Sequence, residues 1–422
     1  MSGFALAPTA FDRIAPPAPA TTATATASDA DTAPRDRFTI NVMTAILWLS
    51  VLTQKLALPG NIEIPLLVLG GGIAVLVWRG RAAISPMRLL VFVALAGVIA
   101  IEQAMFAASR DVSLPAMLIA LALYAMFVFV VPLDRPQILL VLRRFQWVAL
   151  FIAAMVAIDW AFQLAGHAMP DFEAFAPPSA IYQSYNYIQP LSWQAAYMKP
   201  NGVFMLEASH TSQLLAMGLV LEICLFRRWL YVVAFITAQL ASFGGTGFVL
   251  LLSSLLFVVP FYLRGRTLVL VLVLLAVAAA GASQTPIWHN FAKRSGELDT
   301  KHSSGNGRMV EPYVFMADRI SNNRRTLVSG IGPGNGKLDL DRTTELVINP
   351  ISKAVVEYGL FAGLIWILLL HVSVIRTRAP GVAAFVVLVQ YDFLNGALIV
   401  PIHLVYCYVL AAAYSRTRAW QP

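Results

Sequence analysis

Long apolar runs recur along almost the whole of this chain. Such runs lie at about 40–58, 62–78, 87–108, 113–132, 146–166, 203–225, 229–243, 246–263, 267–283, 350–372, 381–398 and 400–414. At ~1.5 Å of helical rise per residue, roughly 20 apolar residues cross the ~30 Å of hydrocarbon in a bilayer. With 59% of its 422 residues hydrophobic and 12% charged, the chain has too few charges to clothe a water-soluble surface. The expected fold is an all-α polytopic membrane protein of about 12 transmembrane helices. Cys224 and Cys407 both fall inside apolar runs and are expected to be small buried side chains, not a disulfide or metal site.

Basic residues set the orientation. Arg35 and Arg37 precede the first run, and Arg79, Arg81 and Arg88 follow the second. Arg135, Arg143 and Arg144 follow the fourth, and Arg227 and Arg228 the sixth. Arg264 and Arg266 follow the eighth, Arg376 and Arg378 the tenth, and Arg416 and Arg418 close the chain. Every second connection is basic, which places those connections and both termini in the cytoplasm. This bias accounts for most of the +8 net charge, so no nucleic-acid partner is implied. An amphipathic helix near 134–145 is expected to lie on anionic lipid head groups.

The chain then divides into four parts. Residues 1–37 are a tail rich in Ala, Thr and Pro, expected to be disordered and followed by an uncleaved first span. Residues 38–283 hold transmembrane helices one to nine, with an outer loop at about 167–202 carrying Tyr182, Tyr185, Tyr187, Trp193 and Tyr197. Residues 284–349 form a large outer loop, and 350–422 hold helices ten to twelve with a short tail.

Ionisable residues inside apolar runs are costly and point to function. Glu102, Asp159, Glu207, His210, Lys353, Glu357 and His403 fall toward the outer ends of their runs. Glu222 and His371 lie near the inner face, and Asp392 near the middle. That asymmetry suits a cavity opening outward and sideways, as a lipid-linked substrate requires. A transporter would place such groups at the midplane. Glu207 and His210, three residues apart, share a helix face and suit a base with its orienting partner, or a structural hydrogen bond.

In the large loop, Ser303–Arg308 reads as a polar turn ending in Arg308. A short amphipathic helix to about Ile320 is expected to follow, with Arg308, Glu311, Phe315 and Arg319 on one face. Arg324 and Arg325 come next, then the glycine run Gly330-Ile331-Gly332-Pro333-Gly334-Asn335-Gly336. That run lacks the spacing and βαβ setting of a dinucleotide fingerprint. It reads either as a tight turn or as a backbone nest facing an anion such as a diphosphate, with arginine forks beside it.

Four patches resemble the O-antigen ligase and Wzy-type polysaccharide polymerase superfamily, most narrowly exopolysaccharide polymerases of the xanthan and acetan type. They are Lys199–His210 (KPNGVFMLEASH), Ser242–Gly247 (SFGGTG), Gly305–Arg308 with its helix and the Gly330–Gly334 turn, and Asn349 with Val356–Gly363 (VEYGLFAG). Together they span 199–363. The chain departs from the family pattern at Ala208, where proline is common, and at Gly244, where a serine is usual beside the glycine. It departs again at Ile348, where ligases carry a histidine, and this last difference argues against lipid A ligation.

The resemblance implies a glycosyltransferase of the GT-C-like membrane type, on the periplasmic face of the bacterial inner membrane. It would transfer a growing glycan from polyprenyl diphosphate to a hydroxyl of a new lipid-linked repeat unit, with no metal or other cofactor. The implied partners are the polyprenyl-diphosphate-linked oligosaccharide, membrane lipids, a chain-length-regulating copolymerase and a flippase. Arg308 is the first choice to neutralise the diphosphate, with Arg319, Arg324 and Arg325 assisting. Glu207, His210 and His302 are candidates for proton acceptance or acceptor binding. Lys199, Gly332, Gly334 and Asn349 complete the substrate-binding set. A glycan ligase and a lipid-linked glycan flippase are the alternatives.

Overall fold

The computed structural model describes residues 34–59, 62–106, 113–169, 176–182, 185, 187–191, 196–263, 265–283, 306–307, 310–322, 324–335 and 348–414. The chain is predominantly helical. In order come α1 (Pro34–Leu52), α2 (Ile64–Trp78), α3 (Pro86–Phe106), α4 (Leu114–Ala125) and α5 (Arg135–Leu164). Then follow α6 (Ala208–Leu221), α7 (Trp229–Ser242), α8 (Gly245–Phe257), α9 (Val259–Tyr262) and α10 (Arg266–Ser283). The large loop contributes α11 (Glu311–Asn322) and α12 (Arg324–Ser329), and α13 (Pro350–Ile375), α14 (Gly381–Leu394) and α15 (Pro401–Tyr406) complete the set. Four two-residue strands, β1 (Ala57–Leu58), β2 (Ile62–Glu63), β3 (Ala83–Ile84) and β4 (Phe129–Val130), pair antiparallel as β1–β2 and β3–β4.

Among the described residues, four helices are long and apolar enough to cross a membrane: Pro86–Met105, Arg135–Leu164, Ala208–Phe226 and Pro350–Ile375. Large apolar side chains such as Leu90, Leu164, Leu230 and Val277 point outward from the bundle, as a lipid-facing surface requires. By contrast α6 and α15 are buried on nearly every side, polar residues included, which makes them the centre of the bundle. Both cysteines are buried and free.

Three sequence expectations change. The tail and first helix meet earlier than expected, because α1 begins at Pro34. The segment near 134–145 is not a separate surface helix. Asp134 and Gln137 form a reciprocal capping box, Pro136 sits in the first turn, and the helix then runs 30 residues without a break. The tenth run, 350–372, is not one straight span. Gly359 has φ 82° and ψ 170°, far from helical values, and the chain reverses there. A Cβ on Gly363 would lie 2.8 Å from the Cα of Val355, and the Tyr358 and Trp366 rings are 4.8 Å apart. Pro350 and Ala354 line one cavity with Trp366 and Leu370. Residues 20 apart in a straight helix would be separated by ~30 Å, so α13 is a helical hairpin. Its first limb runs back about 13 Å from the tip, at ~1.5 Å per residue, and carries the end of the large loop, Ile348 and Asn349, into the interior.

The helix ends sort by charge. Buried Arg88, in the first turn of α3, donates to the carbonyls of Phe127 (3.1 Å), Ser373 (2.8 Å) and Ala412 (2.7 Å). A cation among exposed helix C-terminal carbonyls is favourable in both charge and hydrogen bonding. Arg378 pairs with Asp134 at 3.0 Å, and its amide donates to the carbonyl of Tyr414. Arg228 forms a fork on buried Glu222 at 2.7 and 2.9 Å. These contacts gather the basic connections at one end of the bundle.

Candidate functional site

Away from that basic end the four patches form two docked pairs. In the first pair, Lys199–His210 meets Ser242–Gly247. Gly202 turns at φ 66° and donates its amide to Asp159 Oδ2 at 2.9 Å, which ties the stretch to α5. Glu207 then caps α6 from an extended conformation, and its carboxylate accepts from Ser209 Oγ at 3.0 Å. On the partner patch, Phe243 ends α7 in a left-handed conformation and Gly244 opens α8. Thr246 Oγ1 donates to the Ser209 carbonyl at 3.1 Å, and the Gly247 amide to Ser212 Oγ at 3.1 Å. A Cβ on Gly244 would lie 2.3 Å from Ser212 Oγ, so the close approach requires glycine.

Around Glu207 and His210 stand residues from three other stretches. The connection between α1 and α2 bridges to the aromatic loop at Leu56 and Ile181, and the Tyr182 amide donates to the Lys55 carbonyl at 2.9 Å. Lys55 is buried, with Nζ 5.1 Å from the centre of the Tyr187 ring, a cation–π contact. Glu63, just before the first turn of α2, is buried beside the Tyr182 hydroxyl, and burial pushes its carboxyl up to about 8. Half-buried Tyr185 has its ring 5.5 Å from that of His210, and lies within electrostatic reach of Glu63, Tyr182 and Glu207. Burial and these acidic neighbours together hold its phenol well above the ordinary range. The His403 ring of α15 lies 4.9 Å from that of His210.

In the second pair the Gly330–Gly334 turn sits on the hairpin tip. Ile331 and Gly332 amides donate to the carbonyls of Val356 (2.8 Å) and Glu357 (3.0 Å), and the Gly334 amide to Glu357 Oε2 at 3.2 Å. Lys353 Nζ lies 3.5 Å from the other oxygen of Glu357. The glycine run thus does face an anion, but the anion is the protein's own carboxylate. Those three amides are engaged in docking the loop on the hairpin tip. Asn349 caps α13, its Oδ1 accepting from the Ser352 amide at 2.8 Å, a fold role at the position expected to bind substrate.

The arginines lie on the helices leading to that turn. Arg319 stands over Phe315 at 5.2 Å, one turn apart on α11 as the spacing predicts, and Arg324 and Arg325 open α12, which packs on α13. Lys199 opens the first pair's own stretch, its backbone amide donating to the Gln189 carbonyl at 2.7 Å. His302, Arg308 and Trp193 lie outside the described residues, as does the side chain of Arg324.

Helix α14 links the two assemblies. Gln213, one turn below His210, donates to the Leu394 carbonyl at 3.3 Å and accepts from Gln390 at 3.2 Å. Two residues on, Asp392 pairs with His371 at 3.1 Å and lies within electrostatic reach of Tyr313 on α11, beside Asn349. The structure therefore separates the site residues into Glu207 and His210 on one side and Arg319, Arg324, Arg325 and the glycine turn on the other. Lys55, Glu63 and His403 join the first group without having been selected for it. Glu63 was legible as a lone carboxylate before an Ile-Pro helix start. Comparison with protein-family profiles, curated proteins and solved structures finds no match to this chain.

Proposed function

We propose that this protein polymerises polyprenyl-diphosphate-linked oligosaccharide repeat units on the periplasmic face of a bacterial inner membrane. The bundle would cross the membrane about twelve times with the basic end in the cytoplasm. The reversal at Gly359 would leave that count unchanged, with only the second limb of α13 crossing. The observation that carries the reading is the pairing of the four family-like patches, distant in sequence, into two assemblies away from the basic end.

In the reaction, the bond between the donor's anomeric carbon and the diphosphate oxygen breaks. A bond forms from that carbon to an acceptor hydroxyl oxygen, whose proton is released. Polyprenyl diphosphate leaves with the negative charge. Arg308, with Arg319, Arg324 and Arg325, would meet that charge. A unit pair at ~4 Å in an effective dielectric near 20 is worth about 4 kcal/mol, and part of it realised as the bond breaks gives on the order of 10–100-fold in rate. Glu207 and His210 would serve the acceptor.

The test is the fate of lipid-linked glycan in cells lacking the gene and complemented with wild type or Arg308→Ala. Single repeat units accumulating on lipid, with no long polymer, are expected in the null and in Arg308→Ala. Long polymer held on its carrier would instead mark a ligase. Repeat units trapped in the cytoplasmic leaflet would mark a flippase.

A further inference from the structure

The cluster around His210 has more members than a proton acceptor needs, and their chemistry is that of sugar binding. We propose that Glu63, Tyr185, Glu207 and His210, backed by His403, form the subsite that holds the terminal sugar of the acceptor glycan. The inference rests on the polymerase reading and names the part of that site which takes the acceptor.

Two observations carry it. First, four stretches far apart in sequence converge here: residues 55–63, the tyrosine loop, the start of α6 and α15. Tyr185 lies within electrostatic reach of both carboxyl groups, Glu63 and Glu207, and its ring packs 5.5 Å from the His210 imidazole. Tyr182, Tyr185 and Glu207 remain half-exposed. A ring face that stacks on the C–H face of a pyranose, flanked by carboxyl oxygens that accept from its hydroxyls, is a combination suited to a neutral sugar.

Second, His403 is fully buried, and neither ring nitrogen has a hydrogen-bond partner among the described residues. A buried polar group without a partner costs stability. Its ring lies 4.9 Å from that of His210, so a sugar hydroxyl that reaches past His210 would meet it. Glu63 is buried as well, with its carboxyl beside the Tyr182 hydroxyl. Costly polar groups placed around one spot are what a ligand site retains.

The experiment uses the full-length protein in lipid nanodiscs and the repeat-unit oligosaccharide released from the host's own polysaccharide as the probe. Saturation-transfer NMR and calorimetry read binding, and a thermal melt checks each variant's fold. Tyr185→Ala and Glu63→Ala are expected to weaken binding at least tenfold, with Tyr185→Phe staying within about threefold of wild type. Gly71→Ala, where a Cβ meets nothing within 4 Å, should bind the free oligosaccharide like wild type. Folded Tyr185→Ala and Glu63→Ala proteins that bind normally would overturn the subsite, as would a wild type that does not bind. Either result leaves the polymerase reading to its own test, the lipid-linked repeat units of the Arg308→Ala strain.

Discussion

Replacing Gly359 with alanine tests the hairpin and the docking of the large loop together. Gly359 sits at φ 82° and ψ 170°, a region open almost only to glycine. A Cβ there would lie 2.1 Å from the Val328 carbonyl oxygen and 2.6 Å from its carbon, both main-chain atoms that no rotamer change can move. The contact is reciprocal, since a Cβ on Gly330 would lie 2.4 Å from the carbonyl of Glu357. The backbone strain costs about 1–3 kcal/mol. Relief by moving the loop away loses the Ile331, Gly332 and Gly334 amide bonds, each worth roughly 0.5–1.5 kcal/mol. The expected penalty is about 3–7 kcal/mol, taken first as undocking of the loop and only then as global unfolding. At about 1.4 kcal/mol per tenfold, the population of undocked loop rises at least 100-fold. The assay is trypsin cleavage at Arg319, Arg324 and Arg325 in nanodiscs, where cleavage under fast opening and closing follows that population. Gly71→Ala is the control: nothing lies within 4 Å of its Cβ position, so cleavage stays at the wild-type rate and stability holds or rises by up to about 1 kcal/mol. Wild-type cleavage and melting in Gly359→Ala would refute the hairpin packing described above.

Other outcomes follow from the same geometry. Because the folded carboxyl of Glu63 is raised to about 8 from 4.5, its contribution is fully present below about pH 4.5 and is lost as pH rises through 8. Glu63→Gln should therefore melt higher than wild type at pH 7, by about 3 kcal/mol, with the difference gone at pH 4.5; a lower melt at pH 7 would count against the buried carboxyl. Arg88→Ala strips three helix-end carbonyls of their donor and should cost about 3 kcal/mol or more in a thermal melt, with Arg88→Lys recovering part of it. Asn349→Ala removes the cap of α13 and should lower stability by about 0.5–2 kcal/mol, read in the same melt.

The helical membrane class was legible because it depends on composition and run length, which a bilayer fixes directly. The hairpin in α13 was not. Residues 350–372 are apolar on both sides of Gly359, and glycine is common in straight membrane helices, so nothing local marks the reversal. What forces it is a tertiary contact with Gly330, nearly 30 residues away in sequence. The helix at Glu311–Asn322 was legible from its amphipathic period and the proline in its first turn. In the candidate site, Glu207 and His210 stood out as ionisable residues in apolar surroundings. The same rule covered Lys55 and Glu63, but these flank a short connection and read as its polar edge. Only the bridge between Leu56 and Ile181 brings them under the tyrosine loop.

The single guanidinium of Arg88 has a mechanical consequence. It ties the C-terminal turns of three chain segments to the start of a fourth, so these ends cannot part without breaking several charged bonds at once. That end of the bundle is a clamp. Any widening of the bundle must then come from helices splaying at the opposite rim, like the free ends of staves held by one hoop.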